Sequence, residues 1–126
     1  MDKIPLSTDR APAAIGPYSQ AVRCGQTVYT SGQIGLDPRS GELVGADIEA
    51  QARQAFANLA AVAEAAGATL HNAVKLTLFL TDLGHFAKVN AIMSELVPEP
   101  FPARSTVGVA SLPRGAQFEV EAILVI

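Results

Sequence analysis

Tryptophan is absent and cysteine occurs once, at Cys24, so the chain can form no internal disulfide and build no thiolate-rich metal site. A reducing cytoplasm is the compartment this usage fits. The two histidines, His71 and His85, fall in a loop and at a helix start without metal-ligand spacing, so both are expected at the surface and no metal is expected. Lys and Arg form no cluster, the formal net charge is -3 and the pI is near 5.2, so the electrostatic footprint of a nucleic-acid binder is missing. No apolar run approaches a membrane span, and Met1-Asp2-Lys3-Ile4-Pro5 lacks the apolar core of a signal peptide, so a soluble, unexported protein is expected. Gly-rich phosphate loops, nucleophile elbows and Cys-His pairs are also missing. Without repeats, low-complexity tracts or linkers, the 126 residues read as one domain, 1–126.

Hydrophobic residues make up 49% of the chain and charged residues 17%, which is apolar for a small monomer and points to a buried subunit interface. Ala11 to Tyr18, with Pro12, Gly16 and Pro17, predicts an irregular arm. Gln20 to Cys24 and Thr27 to Ser31 read as a hairpin about Gly25-Gln26, and Asp37-Pro38-Arg39-Ser40-Gly41 as a turn. Helical spacing of Ile48, Ala52, Ala55, Phe56, Leu59, Val62, Ala63 and Ala66 predicts a helix from Asp47 to Ala66, capped by Asp47 and closed by Gly67. Glu49, Gln51, Arg53, Gln54, Asn58 and Glu64 would form its solvated face. Val74, Leu76, Leu78 and Leu80 alternate as one face of a strand. Asp82 can cap a second helix with Phe86, Val89, Met93, Leu96 and Val97 inward, stopped by Pro98.

Two strands close the chain, giving an α+β domain with two helices on one face of a mixed sheet. The final strand is apolar on both faces from Ala122 onward and Phe79 interrupts the polar side of its own strand, so the other face is expected to pack against copies of the same chain. If the last two strands pair as a hairpin near Pro113 and Arg114, then Arg104, Thr106 and Gly108 share a face with Glu119 and Glu121, pointing at that interface.

The chain is organised around Pro100-Phe101-Pro102-Ala103-Arg104-Ser105-Thr106-Val107-Gly108-Val109, where two prolines hand an extended segment to a strand with Arg104 at its mouth. Taken alone, Arg104 is either a solvated edge residue or ion-pair member, or a fork for a carboxylate or phosphate. Tyr18 either packs over a sheet edge or meets a ligand. Gly32 marks a bulge or a close approach, with the Ser31 hydroxyl beside it. Asn90 sits in a helix, where it is an exposed neutral residue unless its amide has a partner. Glu119 and Glu121 are a solvated stripe or, near an arginine in an enclosed site, candidates to activate water.

Four motifs in order, Ala14-Ile15-Gly16-Pro17-Tyr18-Ser19-Gln20-Ala21, Thr30-Ser31-Gly32-Gln33-Ile34, Phe101-Pro102-Ala103-Arg104-Ser105 and Glu119-Val120-Glu121-Ala122, together resemble the RidA/YjgF family of reactive-intermediate (2-iminobutanoate/2-iminopropanoate) deaminases. The resemblance implies a chorismate-mutase-like fold, a homotrimer with a pocket at each subunit interface, and cofactor-free hydrolysis of short 2-imino acids to 2-oxo acids and ammonium. By the same matching Arg104 is the carboxylate-binding arginine and Glu119 the water-handling glutamate, while Tyr18, Ser31, Gly32 and Asn90 fall on pocket positions. Many members carry cysteine where this chain has Thr106, which preserves a backbone contact with substrate but no thiol. Glu95 to Pro100 is also shorter than in typical bacterial members, a difference at the pocket rim. Two other functions stay open: a regulatory trimer that binds a small carboxylate without turnover, and RNA cleavage, against which the acidic balance counts.

Overall fold

The computed structural model describes residues 2–126. A seven-stranded mixed sheet runs in the order β1-β2-β3-β7-β5-β6, from Ile4–Leu6 (β1), Ala21–Cys24 (β2), Thr27–Thr30 (β3), Phe118–Val125 (β7), Ala73–Leu80 (β5) and Ala103–Gly108 (β6), while Gln33–Ile34 (β4) also pairs with β7. The helices Ile48–Ala65 (α1) and Phe86–Leu96 (α2) lie against one another, and α1 packs on β7 and β4. No helix among the described residues is long and apolar enough to cross a membrane.

The local signals act as their chemistry requires. Asp47 accepts the Ala50 N–H at the start of α1, and Gly67 takes φ 77° beyond its end. Gly25, at φ 64°, turns β2 into β3. Asp82 accepts from Gly84 N and caps a short 3₁₀ turn, Leu83–His85, from which α2 continues. Between the helices and the sheet, Leu76, Leu78, Leu80, Phe118, Val120 and Leu124 are fully buried, and the Phe56 and Phe118 rings stand 5.6 Å apart. Each such large side chain contributes roughly 1.5–3 kcal/mol of burial.

Several expectations need correction. Val74 is exposed, because a register irregularity between Ala73 and Lys75 turns Ala73 inward in its place. In α2 the inward residues are Val89, Ile92 and Met93, with Phe86 and Leu96 partly exposed. The three-residue β1, which includes Pro5, forms an unforeseen edge.

Gln51 and Asn58 are not solvated but buried, at 1% and 0% exposure. Asn58 Nδ2 donates to the Ile34 and Leu36 carbonyls, while Gln51 donates to Gly45 O and accepts from Gln117 N. Both amides bond backbone groups at a strand end or in the irregular segments beside it. Gly35 lets this chain segment touch the helix, since a Cβ there would lie 2.7 Å from Gln51 Cα. Two sequence-distant loops are thus pinned to α1.

The expected hairpin between the last two strands does not form. β6 pairs with β5 in parallel and β5 pairs with β7 antiparallel, so β5 lies between them. The opposite sheet face carries no helix, and Tyr29, Val107 and Val125 are exposed on it, each more than a third accessible.

Asn58→Ala should cost about 1–2 kcal/mol, since it leaves the Leu36 carbonyl without its donor, while the Ile34 carbonyl keeps only the Leu36 N–H. Urea unfolding would measure it, and a loss below about 0.5 kcal/mol would contradict the anchoring role.

Candidate active site

Residues paired across a ladder point to the same side of a sheet, and their chain neighbours to the other. Arg104 pairs with the buried Leu76, and Thr106 with the buried Leu78, so both face the helices. Glu119 pairs with Phe79 and Glu121 with Thr77, on the open side. Arg104 and Glu119, expected together, stand on opposite faces. The parallel position of β6 is the reason: pairing through β5 reverses the parity a direct hairpin would set.

Two clefts result. In the first, Arg104 heads the edge strand β6 over α2, where its Nη1 donates to Asn90 Oδ1 at 2.6 Å and sits 3.7 Å from the Met93 sulfur. The guanidinium also lies over the Phe86 ring, 5.2 Å from its centroid. Phe101, Pro102 and Ser94 complete a hollow of about 370 Å³. Asn90 therefore has the partner that a helical Asn needs, and Arg104 is aimed by three neighbours yet meets no carboxylate among the described residues. Thr106 does not line this hollow. Its hydroxyl is buried without a hydrogen-bond partner among the described residues.

The second cleft, about 500 Å³, gathers Tyr18, Ser31, Gly32 and Glu119, together with Ile15 and Arg114. The strand that runs through β3 and β4 makes the bulge its glycine announced: Tyr29 to Gln33 is four steps, whereas their partners Ile123 to Val120 are three apart. Within the bulge Ser31 donates its hydroxyl to Ser19 O at 2.6 Å, and its N–H bonds Gln20 O. A Cβ at Gly32 would overlap the Glu119 carboxylate, so only glycine admits that side chain against the backbone. Buried Gln20 holds the preceding arm by accepting from Thr8 N and donating to the Thr8, Ala11 and Pro12 carbonyls. Tyr18, half exposed, accepts weakly from Ile15 N at 3.4 Å.

The protonation of Glu119 is displaced. Burial raises its pKa above the ordinary carboxylate value, and the charge of Glu121 on the same face pushes it further. A carboxyl so placed exchanges a proton more readily near neutral pH than a free one.

The model of the family described as Endoribonuclease L-PSP matches residues 8–126. The chain belongs to the RidA/YjgF family. Among RidA-family relatives, a protein of Dermatophagoides farinae named 2-iminobutanoate/2-iminopropanoate deaminase is 51% identical over 121 residues, covering 96% of this chain and 94% of its own. The crystal structure of RidA from the Antarctic bacterium Psychrobacter sp. PAMC 21119 is 50% identical with a TM-score of 0.93, covering 96% and 98% of the two chains. The E. coli TdcF structure with bound serine is 43% identical with a TM-score of 0.89, covering 97% and 98%. Several cleft residues, Arg114 and Ile15 among them, escaped selection by sequence. Ile15 lies inside a family motif, and Arg114 shows only as a cation between Pro113 and Gly115, an ordinary turn pattern.

A folded-state pKa above the unfolded one contributes stability below the unfolded value and loses it as pH rises through the folded value. Glu119→Gln should therefore unfold at a higher temperature than the parent at pH 7–8, the gap closing toward pH 4. Parallel pH profiles of melting temperature would refute the raised protonation.

Proposed function

We propose that the chain is a cofactor-free deaminase that hydrolyses short 2-imino acids, in the 2-iminobutanoate/2-iminopropanoate class, to 2-oxo acids and ammonium. It works as a homotrimer of chorismate-mutase-like subunits with each site shared by two copies. One observation carries the shared site: Arg104 and Glu119 face opposite sides of one sheet, so a substrate touching both must lie between chains. The uncovered face, with Tyr29, Val107 and Val125 exposed on it, and the edge position of β6 supply surface for such contact. The relatives' deaminase name supports the chemistry, and the serine on TdcF, a small amino acid, matches the scale of these clefts.

In this scheme Arg104, steadied by Asn90, clamps the substrate carboxylate and fixes its orientation. Tyr18, Ser31 and Gly32 wall the reacting end, and Thr106 offers its backbone. Glu119 directs a water onto the carbon of the protonated C=N bond and takes one of its protons as the C–O bond forms, while the π pair neutralises the iminium nitrogen. Returning that proton to the amine nitrogen lets the C–N bond break as the C=O forms; the Glu119 carboxylate takes the hydroxyl proton and passes it to the departing ammonia, which leaves as ammonium. The raised Glu119 pKa eases these transfers. We place the reaction in a reducing cytoplasm, where Cys24 stays a thiol. RNA is the less favoured substrate despite the family's description, because the net charge is -3 and neither cleft gathers a basic groove.

A pyridoxal-phosphate dehydratase generating 2-iminobutanoate, with semicarbazide as competing trap, should show faster 2-oxobutanoate release when the protein is added. Arg104→Ala and Glu119→Gln should each lose about 100-fold or more in kcat/KM. Refolded together in equal amounts, the two inactive chains should regain activity at about one site in four. No acceleration by the parent chain would end the deaminase proposal, and no regain on mixing would end the shared site.

A further inference from the structure

Arg114 is the only residue other than glycine with a left-handed backbone among the described residues, at φ 61° and ψ 18°. Glycine or asparagine would take that conformation with less strain. Nothing in the fold repays the arginine: it is exposed, and among the described residues it donates no hydrogen bond and joins no ion pair. Yet the loop that carries it is firmly held. Ala116 N bonds Pro113 O at 3.1 Å, and Gln117 N bonds the buried Gln51 at 2.8 Å. Strain kept at a rigid position without a structural partner is a signature of a functional side chain.

Its place gives it a task. Arg114 lines the cleft of Glu119, in a chain of net charge -3, and Glu121 stands on the same face as Glu119. A small carboxylate entering there meets repulsion that a cation at the wall would offset. We propose that Arg114 is a specificity-determining residue of the site, drawing small carboxylates into the Glu119 cleft and setting their affinity. For imino acids this rests on the deaminase proposal above, with Arg104 as the final clamp and Arg114 as the capturing charge. Neutral analogues gain nothing from it.

The test compares the parent chain with Arg114→Gly and Arg114→Lys by melting temperature, by kcat and KM for 2-iminobutanoate between about 20 and about 500 mM salt, and by calorimetric titration with 2-oxobutanoate. Arg114→Gly should melt no lower than the parent, because glycine relieves the backbone. Its KM and its dissociation constant for 2-oxobutanoate should rise about tenfold with kcat changed less than about twofold, and its salt dependence should flatten. Arg114→Lys should recover most of the affinity. Unchanged KM, affinity and salt dependence in Arg114→Gly would overturn the proposal, as would a lower melting temperature that alone accounts for the loss. If the parent binds 2-oxobutanoate but hydrolyses no imine, the deaminase proposal fails by itself, and the titrations decide Arg114: weaker binding by Arg114→Gly upholds its role and equal binding overturns it. A parent that neither hydrolyses the imine nor binds the oxo acid overturns both.

Discussion

The parallel ladder between Lys75–Leu80 and Ala103–Gly108 decides where every candidate residue points. Because β5 intervenes between β6 and β7, Arg104 takes the side of Leu76, and Glu119 takes the side of Phe79. A parallel pair needs a crossover, and here α2 and the Pro98–Pro102 segment provide it. The same crossover sets Asn90 and Met93 beneath Arg104, so the element that makes the ladder possible also orients the guanidinium.

Buried amides then tie the irregular parts to this frame. Gln20 holds the N-terminal arm, Asn58 holds the segment after β4, and Gln51 holds the segment entering β7. All three segments border the Glu119 cleft or lead into it. A loop wall built only from backbone would leave its carbonyls unpaired against α1, at a cost each amide removes. Two of these three amides, Gln51 and Asn58, stand on α1, so part of the cleft's rigidity comes from a helix that contributes no residue to its lining.

Much of this was legible in local chemistry. Asp47 and Gly67 bounded α1, Gly25 marked the hairpin, and the Gly32 bulge was readable because glycine in a strand has few other uses. The Glu119 cleft was legible through its motifs, which brought Tyr18, Ser31, Gly32 and Glu119 to one place. Strand order was not, since the choice of β5 over β7 as partner for β6 is a contact between distant segments that leaves no local trace. Gln51 and Asn58 looked solvated for a related reason: helical spacing assigns faces, but it does not reveal that a loop will later cover the polar one. Val74 misled because a one-residue irregularity inverts alternation without altering composition.

Charge accounting gives the division into two clefts its meaning. Arg53 is met by Glu49 and Glu95, and Arg10 by Glu64, all at the surface, where pairing contributes little. Arg104 and Arg114 meet no carboxylate among the described residues, although each lines a cleft. Glu119 bears the opposite imbalance, a carboxyl whose ionisation is disfavoured by burial and by Glu121. A fold optimised only for stability would pair these groups or replace them with neutral ones. Without carboxylate partners the arginines keep donors for an anion and the glutamate keeps its proton within reach, and the small 2-imino acid we propose as substrate would engage all three.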